Sequence, residues 1–213
     1  YAMLSGINNA IARLTDQQQL YEEACRIAVE HGRFGIAWIG QFNADRMEIV
    51  AVAAAGLGAD SMLRHTAVSL QPGVTSEANV APRAFRERRP AFDNDIAASP
   101  EGGRRRQEAI RRGYRSVITL PLTVEGDCVA TFSLFAKEPG FFDEEELALL
   151  DELAADVSFG LESIAEREKV EYLSCYDPLT GLPNRTLFGD RAQHQVRARG
   201  GENVLIALVL LNI

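Results

Sequence analysis

The sequence predicts an α+β fold: one antiparallel sheet flanked by helices, a long C-terminal connecting helix, and an incomplete second domain. Three observations predict it. Two pairs of strand-like runs each close on a short polar turn, which marks antiparallel hairpins. A helical stretch lies between the pairs and more helices flank them, so helices gather around one sheet and no β-α-β winding arises. From Asp143 the chain then runs to Cys175 with no proline and one glycine. A helix of roughly thirty residues at 1.5 Å each spans about 45–50 Å, more than one small domain needs.

Bulk properties bound the function. The 213 residues suffice for one domain and part of another, and 46% apolar with 24% charged residues fits an ordinary globular chain. The longest apolar run, 204–211, is eight residues, far short of a membrane span, and no signal-peptide pattern opens the chain. A net charge of −8 argues against a general nucleic-acid binder. Cys25, Cys128 and Cys175 are far apart and odd in number, which suits a reducing cytoplasm better than a disulfide framework. His31, His65 and His194 lack ligand spacing with one another or with the cysteines, so no metal site is expected.

Taken in order, Leu4, Ile7, Ile11 and Leu14 fall on one face of an opening helix over 4–14. Thr15 or Asp16 caps a second helix, with Gln18 or Gln19 as the matching third residue; Leu20, Ala24, Ile27 and Ala28 are its apolar positions, and His31-Gly32 ends it. Strands at 35–42 and 47–54 are joined by Asn43-Ala44-Asp45-Arg46, a hairpin by turn chemistry. The stretch 56–75 is glycine-bearing and irregular apart from the apolar run 67–70. A helix at 77–88, a short strand at 90–92, the turn Asp93-Asn94-Asp95 and a helix at 101–112 complete this helical excursion.

The second hairpin is clearer. Ile118, Leu120, Leu122 and Val124 share one face of a strand over 116–124, Glu125-Gly126-Asp127 turns the chain, and Cys128, Ala130, Phe132 and Leu134 share a face of the return strand. Pro121 cannot donate to a ladder, so it belongs at a bulge or an edge. The connecting helix, with its surroundings over 143–176, opens with Phe142, the cap Asp143, Glu146 three residues on and Leu147, a capping box with a hydrophobic staple. Leu150, Leu153, Val157, Leu161 and Ile164 then follow at steps of three and four; beyond Ile164 the face turns charged, with Val170 and Leu173 remaining.

In this layout residues 1–165 resemble a GAF domain, of the type found in bacterial proteins that carry GGDEF and often EAL domains. The resemblance rests on Leu4-Ser5-Gly6-Ile7-Asn8-Asn9-Ala10-Ile11, Ala37-Trp38-Ile39-Gly40, Asp93-Asn94-Asp95-Ile96, Arg112-Gly113-Tyr114-Arg115-Ser116 and Glu138-Pro139-Gly140-Phe141-Phe142-Asp143-Glu144-Glu145, in that order and spacing. It implies a sensor of an unknown small ligand, because the fold does not choose the ligand. GAF proteins that attach bilins need a cysteine in the excursion, and none lies between Cys25 and Cys128. Those that reduce methionine sulfoxide need several cysteines near the pocket, and only Cys128 offers itself.

The nonapeptide after the long helix is Asp177-Pro178-Leu179-Thr180-Gly181-Leu182-Pro183-Asn184-Arg185. By composition it is a turn, with Thr180 or Asn184 placed to cap the next helix. Asp177, Leu179, Thr180, Gly181, Leu182, Asn184 and Arg185 together resemble the D-x-L-T-G-L-x-N-R opening of GGDEF domains, the family that makes cyclic di-GMP from two GTP. The resemblance implies that 177–213 is the start of such a domain, with a helix to about 199 and a first strand at 204–211. The family's strand ends at a metal-binding aspartate where this chain has Asn212, which implies poor metal binding and a regulatory role. The family's signature loop comes later than residue 213; Gly200-Gly201-Glu202-Asn203-Val204 precedes the first strand and only mimics it. No catalytic residue is therefore expected in this stretch, while the parent protein is expected to be diguanylate cyclase-like.

Candidate sites have plainer alternatives. Trp38, Phe92, Tyr114, Cys128 and Phe132 are candidates to line a ligand pocket between the sheet and the excursion, although each is more commonly simple core. Arg104, Arg105, Arg106, Arg111, Arg112 and Arg115 put six arginines into twelve residues, and Arg83, Arg86, Arg88 and Arg89 form a second cluster. Such forks suit phosphate, but solvated, ion-paired faces are the commoner use. Asp93 and Asp95 lack a neighbouring acid–base partner and read as turn formers.

The resulting expectation is a sensory and regulatory part of a cyclic di-GMP signalling protein. Its GAF domain binds a small ligand, and its connector helix forms a homodimer, with Leu150, Leu153 and Val157 as the residues to test. The rival is a ligand-free dimerisation scaffold. The strand at 204–211 is expected to pair with another chain or to lie against the GAF domain.

Overall fold

The computed structural model describes residues 2–59, 67–71, 79–98 and 104–198. The expectations for 56–78 in part, for 99–103 and for the strand 204–211 with Asn212 lie outside these residues. The chain divides into two compact units, Tyr1–Ile164 and Ala165–Ile213.

In the first unit the elements run α1 (Ala2–Ile11), α2 (Gln17–His31), β1 (Ile36–Asn43), β2 (Glu48–Gly56), β3 (Ala67–Ser69), α3 (Val80–Glu87), β4 (Ala91–Asp93), α4 (Arg104–Arg111), β5 (Ser116–Val124) and β6 (Asp127–Ala136); α5 (Glu144–Cys175) begins there. The strands form one antiparallel sheet in the order β3-β2-β1-β6-β5-β4. Both expected hairpins are its backbone, joined through β1 and β6. Glu125 and Gly126 adopt φ of 52° and 82° at the second turn, where glycine is needed. The α1 helix stops three residues short of the expected end; Leu14 still packs on the core from the turn that follows. Asp16, not Thr15, caps α2 by accepting the Gln19 N–H at 2.8 Å. Asp143 caps α5 by accepting the Glu146 N–H at 2.8 Å.

Pro121 lies opposite Thr131, beyond the last residue of β5 that pairs with β4, and a bulge follows at Leu122/Thr123. The backbone freed there is not left without partners: the Thr123 N–H donates to Ser158 Oγ at 3.0 Å and the Glu125 N–H to Glu162 at 3.0 Å. Along this margin α5 takes the place of a neighbouring strand.

The sheet is covered on both sides. On the helical side, α1, α2 and α5 enclose Ala37, Ile39, Ile118, Leu120, Leu122, Ala130, Phe132 and Leu134. Leu150, Leu153, Val157, Leu161 and Ile164 of α5 are all at most 4% exposed here. Leu150, Leu153 and Val157 are therefore core, which corrects their use as probes of a dimer seam: replacing them tests folding first. The one glycine of α5 has a packing reason, since a Cβ at Gly160 would come within 2.9 Å of Ile11 and 3.0 Å of Leu20. On the other side, α3 and α4 lie over Ile36, Ala91 and Val117, while Trp38, Ile49, Ala51, Val68 and Leu70 form an adjoining cluster.

One group on α5 strains this unit electrostatically. Asp156 Oδ2 is buried without a hydrogen-bond partner among the described residues. Burial raises its carboxyl above the ordinary aspartate value, nearby Glu152 adds to the rise and a hydrogen bond from Asn8 opposes it. A raised folded-state pKa means that the folded state holds its proton longer, so this group's contribution falls as pH rises through the carboxylate range. Asp156→Asn is therefore expected to raise stability at pH 7, and with it the thermal midpoint, by less than about 1 kcal/mol, because the residue as a whole is only half-buried. The gain should fade on acidification, as followed by thermal melts across pH.

Candidate functional site

The excursion side of the sheet carries an unusual composition at its centre. Among the described residues, the buried polar side chains are Ser116, Thr119, Thr131 and Ser133, each at most 1% exposed. Three of them lie together. Thr119 pairs with Ser133 across β5 and β6, their hydroxyls 2.8 Å apart, and Ser133 pairs with Trp38 across β6 and β1. One step along, Pro121, Thr131 and Gly40 form the next row. A strand covered on both faces is normally apolar throughout, so this polar band departs from what the core alone requires.

Two of its atoms are unsatisfied. Trp38 Nε1 and Thr131 Oγ1 are buried without a hydrogen-bond partner among the described residues, although Trp38 is only 4% exposed and Thr131 is 0% exposed. Each such group costs about 1–3 kcal/mol of stability. Aromatic walls surround them: Phe135 packs against the Trp38 cluster and lies 5.7 Å from the Tyr114 ring, and Phe85 packs on the same cluster and 4.7 Å from Phe42.

The five pocket candidates divide between the two faces. Trp38 and Tyr114 lie on the excursion side, in adjoining clusters. Phe132 lies in the helical-side core, and Cys128 is buried near the start of β6, before the bulge opposite Leu122/Thr123. Phe92 is at the sheet margin, 38% exposed, with its ring 6.4 Å from Phe142. The structure therefore brings two of the five together, because strand alternation sends i and i+2 to one face and their neighbours to the other. The Cys128 thiol donates to the Ala130 carbonyl at 3.3 Å, and burial pushes its pKa up to about 11. It stays protonated at neutral pH and is a poor nucleophile.

The arginine clusters are mostly structural. Arg106 reaches Asp93 at 2.5 Å and the Ile96 carbonyl at 2.8 Å, and Arg115 grips both oxygens of Asp95 at 2.8 and 2.9 Å. That contact is the main reason the Asp95 carboxyl sits below its ordinary value. Arg112 pairs with Glu108, Arg83 donates to the Phe92 carbonyl, Arg86 to the Leu70 carbonyl, Arg88 to Gly126 and Asp127, and Arg89 to Glu87. The side chains of Arg104 and Arg105 lie outside the description. Asp93 and Asp95 act as turn formers, accepting the N–H groups of Asp95 and Ala97.

Sequence reasoning missed the residue between them. Asn94 Nδ2 donates to the Phe142 carbonyl at 3.0 Å, its Oδ1 accepts the Phe142 N–H at 2.9 Å, and its own carbonyl accepts the Gly140 N–H at 2.7 Å. Asn94 thus ties the turn after β4, within the excursion, to the residue before the α5 cap.

A family model for the GAF domain matches residues 15–162. The chain belongs to the GAF domain family. Solved structures agree in fold. The Neisseria meningitidis free methionine-R-sulfoxide reductase, in complex with its substrate, has 19% identity and a TM-score of 0.64, covering 78% of this chain and 89% of that one. The GAF domain of a Coxiella burnetii phosphoenolpyruvate-protein phosphotransferase has 16% identity and a TM-score of 0.64 over 78% and 95%. Its Acinetobacter counterpart has 16% identity and a TM-score of 0.60 over 79% and 94%. At these identities the likeness speaks for the fold. No curated protein sequence matches the chain.

The second unit contains the end of α5, the nonapeptide and α6 (Arg185–Ala198). Asp177 Oδ1 accepts the Thr180 N–H at 2.9 Å, the Thr180 hydroxyl at 2.8 Å and the Leu179 N–H at 3.2 Å, and these bonds hold its carboxyl below the ordinary value. Gly181 turns at φ 67°. Asn184, not Thr180, caps α6: its Oδ1 accepts the Leu187 N–H at 3.0 Å, while its Nδ2 donates to the Ser174 carbonyl at 2.8 Å. Leu179 and Leu182 are exposed, and Arg185 is the first residue of α6. Among the described residues no cluster of His, Cys, Asp and Glu is arranged for a metal, and no helix is long and apolar enough to cross a membrane.

Proposed function

We propose that this chain is the sensory and regulatory part of a cytoplasmic cyclic di-GMP signalling protein. In this reading 1–165 is the sensor, 143–176 the connector, and 177–213 the start of a GGDEF output domain. The GAF domain takes a small ligand on the excursion side of its sheet, next to Trp38 and Tyr114. The observation that carries the reading is the pair of unsatisfied buried atoms, Trp38 Nε1 and Thr131 Oγ1: a ligand that pairs them stabilises one arrangement of the excursion over another, as an effector must. The link onward is Asn94, which couples that segment to the start of α5. The seven-position string Asp177, Leu179, Thr180, Gly181, Leu182, Asn184 and Arg185 supports the GGDEF assignment, and the free thiols of Cys25, Cys128 and Cys175 suit a reducing compartment.

The proposed partner is a second copy through α5. That helix is uninterrupted from Glu144 to Cys175, and Phe159, Ser163, Glu166, Val170 and Leu173 follow the alternating four-and-three spacing of a two-helix seam. Phe159 and Val170 are 64% and 66% exposed. Two cyclase domains must meet to join two GTP, so dimer geometry can gate their output.

A second reading keeps the dimer and removes the ligand. It is favoured by the aromatic packing of Phe42, Phe85, Tyr114 and Phe135 on the same face. Native mass spectrometry of the freshly purified chain separates the two. A dimer mass with a stoichiometric small adduct supports the sensor, a dimer without one supports the scaffold, and a monomer removes the seam.

A further inference from the structure

We propose a second ligand site, apart from the excursion side and independent of the reading given to that face. It is a cleft of about 320 Å³ between the end of α2 and the end of β6, and Val29, Arg33, Phe34, Lys137, Glu138 and Phe141 line it. Its ligand is a small carboxylate with a short apolar body, held at the anionic end by Arg33 and Lys137.

A constrained turn builds the cleft. Gly32 ends α2 with its N–H donating to the Ala28 carbonyl at 2.9 Å, and a Cβ there would fall 2.7 Å from the Phe34 ring. Arg33 follows with a left-handed φ of 60°, a conformation that costs any residue but glycine free energy. The turn buries Phe34 and leaves the Arg33 side chain 75% exposed. Its guanidinium lies over the Phe141 ring, 5.2 Å from the ring centre. Stacking occupies the face of a guanidinium and leaves the N–H donors in its plane available. One of them reaches Glu146 of α5 at 3.4 Å, a long contact.

Charge and size set the ligand class. Among the described residues neither Lys137 nor Glu138 forms an ion pair. Two cations and one carboxylate in the lining favour a ligand with a single negative charge. A free carboxylate can take two N–H bonds from the Arg33 fork where Glu146 takes one. Val29, Phe34 and Phe141 supply the apolar wall. The volume lies at the lower end of the roughly 300–1,000 Å³ of small-molecule sites, so the body is one ring or a short chain. Such a ligand competes with Glu146 for Arg33, and occupancy therefore bears on the first turn of α5.

The test uses the full chain and three probes: 3-phenylpropionate, its neutral amide, and acetate, which keeps the charge and drops the ring. Backbone amide NMR locates each probe, and titration gives its affinity. The expected result is 3-phenylpropionate shifting the amides of Gly35, Lys137 and Glu138. It should bind ~5-fold tighter than its amide, the worth of two exposed ion pairs together, and tighter than acetate, which buries no ring. Arg33→Gly suits the left-handed backbone, and Lys137→Gln alters an exposed side chain, so both variants should melt like the wild type. In each, the preference for acid over amide should fall to about twofold, whereas Glu138→Gln should strengthen it. Acid and amide binding equally, acetate binding as tightly as the acid, or a preference unchanged in both variants would overturn the ligand class. A weaker preference in Glu138→Gln would overturn the charge assignment. Shifts confined to the neighbourhood of Trp38, or none at millimolar probe, would overturn the cleft as a site and leave the reading of the excursion side standing.

Discussion

Replacing Asn94 with alanine is expected to lower the stability of the GAF domain by about 2–4 kcal/mol. The change removes one donor and one acceptor, both bonded to the backbone of Phe142, a residue 2% exposed. Two buried backbone groups then lose their partners, at about 1–3 kcal/mol each. For a domain of this size that corresponds to a drop in thermal midpoint on the order of 5–10 °C. The loss should be local at first: hydrogen exchange should speed up at Phe142 and in the first turn of α5, while the β1–β6 ladder stays protected. Asn94→Asp keeps the acceptor for the Phe142 N–H but sets a carboxylate against the Phe142 carbonyl, so it should not rescue. A variant as stable and as slow to exchange as the wild type would remove Asn94 from the route between excursion and helix.

The second large effect separates two faces of one helix. Leu153→Ala deletes a side chain that is 0% exposed in the core between helix and sheet, and such deletions cost about 2–5 kcal/mol. A Phe159→Ser, Val170→Ser, Leu173→Ser triple variant should keep stability within about 1 kcal/mol of the wild type, as exposed positions do. It should nevertheless weaken dimerisation at least ~10-fold, because it strips the apolar positions of the proposed seam. Chemical denaturation and sedimentation equilibrium together read both numbers. A triple variant that dimerises as before would sink the seam, whatever it does to stability.

What could be read in advance was local. The two hairpins were legible because their turns carry the right chemistry, Asn43 through Arg46 and Glu125-Gly126-Asp127, and because Asp143 announces the start of α5. The start of α3 was not: the sequence suggested position 77, whereas Asn79 accepts the Ala81 N–H at 3.4 Å and the described helix begins at Val80. The polar band escaped for a physical reason. Thr119, Thr131 and Ser133 occupy the alternate positions that a half-exposed strand gives to solvent, and only the excursion folding over them makes them buried. Pocket candidates chosen by residue type alone mixed the two faces for the same reason, since type does not tell which way a strand residue points. The arginine clusters look like phosphate sites until Asp93, Asp95, Glu108 and the carbonyls that hold them are seen.

The treatment of the β5 margin has a consequence for how this protein fails. Proline at 121 offers no N–H, and the amides of Thr123 and Glu125 donate to Ser158 and Glu162 of α5. While that helix is docked, an incoming peptide finds nothing to template on there. Once it detaches, the same margin is a bare strand with an adjoining apolar floor. Damage to the docked half of α5 should thus surface as turbidity and fibrils before any soluble unfolded chain accumulates.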